Sequence, residues 1–167
     1  MTFTMNDFLI YFEAARQRTR RVAGCVPEDK FEWTHKPDTF SPGDLVRHLA
    51  VTERWIWAES LHGRPSRYVA HGRELADGRD AVIAFLDRMH EESLDLFRTI
   101  PDDALTTRCP TPAGTTIVVW KWLNALLEHE AHHRGQLYSL LSMLGVDAPP
   151  LYGMTSQEVR RRGVAPD

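Results

Sequence analysis

The chain has little of several things. It holds only two cysteines, Cys25 and Cys109, in 167 residues, too few for a disulfide framework. No apolar run approaches the roughly 18 residues that a membrane-spanning helix needs. Neither charge sign dominates: Lys plus Arg is 20, Asp plus Glu is 23, and the formal net charge is −3. With a pI near 6.2, the basic excess of a nucleic-acid binder is missing, so nucleic acid is not an expected partner. The opening MTFTMNDFLI has no basic n-region, and Asp7 interrupts its short apolar stretch. No signal peptide is expected, and the expected location is the cytoplasm, where a disulfide would be unusual. Strand-like alternation is scarce as well. Thr115–Val119 is the one β-branched run, and it leads directly into a helical pattern.

What remains is ordinary globular material, 43% hydrophobic and 26% charged, at about the length of one domain. The reading is therefore one domain over 1–167, with a core at about 6–145 and a C-terminal tail at 146–167. Turn residues divide it into four helical stretches. The first runs from about Asn6 to Cys25, with Phe8, Phe12, Ala15, Thr19 and Val22 at steps of three and four. Ser41 reads as an N-cap with Pro42 at the first helical position, opening a second helix that runs to about Leu61. A long polar connection over His62–Gly78 follows, of a length that suits a mobile loop near a site. The third helix spans about Arg79–Ile100, with Val82, Leu86, Met89, Ser93 and Phe97 inward. The fourth begins near Thr116 and ends at Gly145, a C′ glycine. These four helices predict an all-α fold, an antiparallel four-helix bundle with a long connection between helices 2 and 3.

The chemistry concentrates in Glu128-His129-Glu130-Ala131-His132-His133-Arg134-Gly135-Gln136. At 100° per residue, His133 lies about 40° from His129, and Trp122 and Leu140 about 20°. Two imidazoles thus project from an apolar stripe, where each must satisfy two ring nitrogens away from water. Residues four apart on a helix can reach one ion. His48 is inward on the second helix, sharing its face with the pocket candidates Thr52 and Trp55. If the two helices are neighbours, three imidazoles converge, the donor set of an open catalytic metal site. The alternative is a group of hydrogen-bonded core histidines. His132 competes with His133 but falls at the stripe's edge, as a residue of the site mouth. Gln136 lies beside the ligands, either orienting an imidazole or packed as a plain amide. Arg134 points away.

These residues resemble the DinB-like (DinB/YfiT) family. The resemblance covers about Asp7 to Gly145. It rests on Ser41-Pro42-Gly43-Asp44-Leu45-Val46-Arg47-His48-Leu49, on Thr111-Pro112-Ala113-Gly114, and on His129-Glu130-Ala131-His132-His133-Arg134-Gly135-Gln136-Leu137. The last is similar to the family's H-x3-H-R-G-Q signature. The resemblance implies a four-helix bundle, often a homodimer, with a divalent metal, nickel or zinc, held at positions matching His48, His129 and His133. It also implies chemistry of the thiol-dependent transferase and isomerase type, with a low-molecular-weight thiol as substrate or partner. A metal-dependent hydrolase, or a non-catalytic dimeric bundle with a structural metal or none, are the alternatives. No general base is identifiable.

Other residues read more plainly. Val46, Ala50, Trp57 and Leu61 form an apolar edge on the far side of the second helix, a candidate subunit interface. Trp33 and Trp55 are candidate pocket walls, with core packing favoured for Trp55. Glu128 and Glu130 suit solvent or interhelix contacts, and Glu59 a cap or an ion pair. Cys25 and Cys109 read as ordinary thiols. His35, His62, His71 and His90 read as surface residues, with His71 a candidate lid residue. Because imidazole ligates only when neutral, metal retention is expected to weaken below about pH 6.5.

Overall fold

The computed structural model describes residues 3–151 and 153–163; the outer ends of the expected 1–167 domain, and Tyr152, lie outside the described residues. Helix α1 (Met5–Gly24) opens on a capping box between Thr4 and Asp7. It buries Phe8, Phe12, Ala15, Thr19 and Val22, the stripe read from the spacing, and also Arg16. Helix α2 (Pro42–Thr52) starts at Ser41, whose hydroxyl accepts from the Asp44 backbone N–H while the Asp44 carboxylate accepts from the Ser41 N–H. The helix continues to Leu61, as expected, but its pitch changes. Residues Glu53–Ala58 are π-helical, and only the last turn, α3 (Glu59–Leu61), is α-helical again.

The connection over 62–78 leads to α4 (Arg79–Phe97), shorter than the expected Arg79–Ile100. Two short strands correct the all-helical expectation: β1 (Arg108–Pro110) pairs antiparallel with β2 (Thr116–Val118), Cys109 opposite Ile117. Thr116 therefore does not begin the last helix. Its β-branched run fits an extended ladder better than a helix's first turn, and Gly114 supplies the positive φ of +74° that the hairpin turn needs. Helix α5 (Val119–Met143) then runs to a C-cap at Leu144, with Gly145 at φ +68° and the Val146 N–H donating to Leu141 O at 2.9 Å. The tail carries a further short helix, α6 (Ser156–Arg162), whose Arg160, Arg161 and Arg162 are exposed.

Both α1 and α2 pack against α4 and α5. Helix α2 is therefore covered on two sides. Val46 and Ala50, read as part of an external edge, are fully buried, and Trp57 is buried beneath the π-helical turn. That edge is interior because α4 lies over it.

Apolar burial falls into two clusters. One gathers Val22, Leu45, Leu49, Val82, Leu86 and Leu137; the other gathers Phe8, Phe12, Trp57, Leu94, Phe97 and Leu126. Between them along the helices lies a layer of buried charge. The Arg16 guanidinium hydrogen-bonds Glu53 and lies 3.2 Å from Glu130 Oε2. His90 Nδ1 is 2.9 Å from Glu53 Oε1. Arg134 turns away from the histidine cluster, as expected, but into this layer, where it donates to Ala15 O and Thr19 Oγ1. Burial works to raise the Glu53 carboxyl, yet Arg16 and His90 outweigh it and hold the group below the usual range. His90 is buried, not a surface residue. Its place one turn from Leu86 and beside Met89 puts it on the inward face of α4.

Candidate metal centre

His48 from α2 and His129 and His133 from α5 meet at the level of the charged layer. His129 Nε2 lies 3.1 Å from His48 Nε2 and 3.1 Å from His133 Nε2. One donor nitrogen from each ring falls within 4.8 Å of the others. All three rings are partly buried. Four-residue spacing on α5 stacks two rings on one face, and the contact of α2 with α5 brings the third to them.

Hydrogen bonds at the outer nitrogens fix which nitrogen faces inward. His133 Nδ1–H donates to Gln136 Oε1 at 2.7 Å, while the Gln136 amide donates to His132 Nε2 at 3.2 Å. His132 thus anchors Gln136, which orients His133. On the other side, the Tyr68 hydroxyl lies 3.0 Å from His48 Nδ1 and 2.5 Å from His71 Nδ1. His48 Nδ1–H donates to this hydroxyl, which donates in turn to His71. In both cases the bare lone pair on Nε2 is turned toward the cluster. His129 packs against Trp57, centroid to centroid 4.8 Å, and Trp57 stacks on Trp122 at 5.1 Å. Its Nδ1 is buried without a partner.

Electrostatics keep the rings neutral. Burial first, then the neighbouring His133 and His71, push His48 down to about 4. Burial and the adjoining His133 and His48 push His129 down to about 3. His133 is lowered too, by burial, against the opposing pull of its bond to Gln136. Protonation of His48 and His129 therefore falls well below the pH 6.5 expected from free imidazole, and that of His133 is lowered in the same direction.

The donor set fits a divalent cation. Zinc–nitrogen bonds of about 2.0–2.1 Å at tetrahedral angles space their donors by roughly 3.3 Å, close to the two observed separations of 3.1 Å. His129 Nε2 cannot hydrogen-bond well to both neighbours at once, because each neighbour presents a lone pair and a neutral ring has one N–H. One cation satisfies all three lone pairs.

Other candidates fall elsewhere. Thr52 is buried and donates to His48 O at 2.7 Å, so it supports the helical turn and not the ring. Trp55 is only partly buried: its carbonyl accepts from the Arg67 N–H at 3.0 Å and the Arg67 guanidinium lies over its ring at 5.4 Å. The π-helical turn brings Trp57, not Trp55, against His129. Trp33 packs on the core. His71 is not merely a surface group, since its ring packs tilted against Phe40, centroid to centroid 4.4 Å, beside His48. Tyr68 was invisible to spacing arguments because it acts from the loop.

That loop is tied down from α2. The buried Arg47 guanidinium donates to His71 O at 2.6 Å and Ala76 O at 3.0 Å, while pairing with Glu32 and Asp44. His62 bonds Leu96 O at 3.2 Å. Glu130 makes an interhelix contact and Glu59 pairs with Arg54 and Arg64, as expected. Cys109 is buried in the hairpin and its thiol is pushed up by burial. Cys25 bonds Arg21 O at 3.3 Å.

A mostly helical fold with a small hairpin and a histidine cluster drawn from two facing helices defines the class. The chain belongs to the DinB superfamily, whose sequence profile matches residues 11–137. Solved structures agree in fold. A DinB-like protein from Bacillus cereus superposes with a TM-score of 0.76 at 16% identity, over 90% of this chain and 99% of that one. A DinB-like protein from Bacillus subtilis gives 0.68 at 18%, over 88% and 97%. A mutant of a mycothiol-dependent maleylpyruvate isomerase gives 0.67 at 15%, over 96% of this chain and 69% of that one. No curated protein matches in sequence. No helix among the described residues is long and apolar enough to cross a membrane.

Proposed function

We propose that the chain is a metal-dependent enzyme of the thiol-dependent transferase type, with a divalent ion held by His48, His129 and His133. The observation that carries this reading is the convergence of three Nε2 atoms from two helices, two of them with their opposite nitrogens tied by Gln136 and Tyr68. Imidazole donors suit nickel or zinc. When bound, such an ion supplies Lewis acidity and favours the thiolate form of a coordinated low-molecular-weight thiol. The residues of the chain do the rest. Gln136 and Tyr68 keep each outer N–H in place, and Trp57 with Trp122 closes the inner side of the cluster to water. The thiol is supported by the mycothiol dependence of one structural neighbour, the maleylpyruvate isomerase. In the same reading the chain is one domain built as an antiparallel four-helix bundle, works in the cytoplasm, and pairs as a homodimer. Exposed Ile10 and Tyr11 on α1 and Trp120 on α5 are apolar surface for that pairing.

The test is metal content by elemental analysis of the purified chain and of His133→Ala. One equivalent of metal in the parent and a loss of at least tenfold in the variant is the expected result; equal content in both refutes the ligand set. Thiol-dependent turnover that disappears with EDTA and returns with nickel or zinc supports the enzyme reading. Full metal occupancy with no thiol-dependent turnover would favour a structural metal.

A further inference from the structure

Beside His133 and Gln136 a cavity of about 460 Å³ opens toward solvent. This falls within the size range of small-molecule sites. Its walls are Phe40, Leu45, Leu140 and Met143, and its polar side chains are Thr39, Ser139, His35, Gln136 and His133. Among the described residues, no arginine or lysine lines it.

The polar side chains have spent most of their donors on the protein. Thr39 Oγ1–H donates to Lys36 O at 2.8 Å, and His35 Nδ1 lies against the same hydroxyl at 3.3 Å. Ser139 Oγ–H donates to Gly135 O at 3.2 Å. Gln136 gives its Oε1 to His133 and one N–H to His132, which leaves its second N–H as a single neutral donor. Apart from that one N–H, what these groups still offer is lone pairs, which repel an anion. The buried Arg47 is held by two carboxylates and two carbonyls and does not line the cavity. An anionic group seated here would give up its hydration for at most one neutral donor, a poor exchange for a charge.

Resting on the proposed function, we infer that this cavity is the subsite for an uncharged aryl or alkyl portion of the substrate, and that it discriminates against substrates carrying an anion on that portion. The reacting end then lies at the histidine cluster, and the remote apolar group contributes the binding that orients it.

The test uses an isosteric pair, benzyl methyl sulfone and phenylmethanesulfonate, which differ in a methyl against an anionic oxygen; both are measured on the EDTA-treated chain, so that no cation at the histidine cluster attracts the sulfonate. Binding to the full chain is followed at pH 8 through the methyl resonance of Met143, assigned with Met143→Leu. The sulfone is expected to shift this resonance and to bind at least tenfold more tightly than the sulfonate. Ser139→Arg, at an exposed position, brings a guanidinium to the rim and should narrow that preference at least threefold. Equal or tighter binding of the sulfonate to the parent chain, no shift of Met143 with either probe, or an unchanged preference in Ser139→Arg would each overturn the inference. Failure here leaves the metal content of His133→Ala untouched, and loss of the metal reading leaves sulfone binding untouched, so the two are told apart.

Discussion

Gln136 shows how much a single exposed side chain can do for a buried site. It touches no metal position, yet its amide sets the tautomer of His133 and engages His132. Partners of ligating histidines are commonly worth about 10–100-fold in metal affinity. Gln136→Leu should therefore weaken metal binding by about that factor in a chelator competition, with fold stability nearly unchanged because the residue is exposed. An affinity equal to that of the parent would mean that His133 is oriented by its packing alone. Tyr68→Phe removes the corresponding bond to His48 and should act in the same direction. The residues differ in how visible they are in sequence. Gln136 stands three residues from His133 on the same helical face, where a wheel finds it. Tyr68 reaches His48 across 20 residues of chain through a loop, and no periodicity encodes that. His90 and Arg16 occupied helical positions beside the apolar stripes, and their charge disguised their burial.

At the scale of elements, capping chemistry made helix ends legible. Ser41-Pro42 and Gly145 read correctly because each solves a local problem of unpaired backbone groups. The π-helical turn at Glu53–Ala58 has no such signature, and it rotates everything after it. A straight wheel put Trp57 on the far side of α2, whereas it packs against His129. The hairpin was missed because three-residue strands are too short to show alternation. Arg47 joins three elements, the connector before α2 through Glu32, α2 itself through Asp44, and the 62–78 loop. A lysine keeps the charge but lacks the planar fork with five donors. Arg47→Lys should thus accelerate amide exchange over 64–76 while leaving α1 protected. Unchanged exchange in the loop would show that the Arg67–Trp55 contact suffices to hold it.

Across the whole molecule, charge is placed where the site is. Removing Arg16 leaves Glu53 and Glu130 buried without their cation, so Arg16→Met should destabilise the chain by about 3–5 kcal/mol in urea unfolding. A loss below 1 kcal/mol would mean that the carboxylates find other partners. Acid acts on the same level. The folded pKa values of His48 and His129 are about 4 and about 3, against an ordinary 6.5. Between these values the unfolded chain binds more protons than the folded one, so stability rises with pH there. The EDTA-treated chain should accordingly show a lower urea midpoint at pH 5 than at pH 7.5, and a flat midpoint would contradict the neutral, buried rings.

The charged waist between two apolar clusters also acts as a ruler. Apolar contacts above and below it are less directional than ion pairs, whereas the Arg16–Glu53–Glu130 level accepts only one axial setting of α1, α2 and α5. Since His129 adjoins Glu130 and His48 lies about a turn before Glu53, that setting is also the alignment of the donor nitrogens. Saturation mutagenesis should therefore reveal broad tolerance among the aliphatic positions and sharp intolerance along this single latitude.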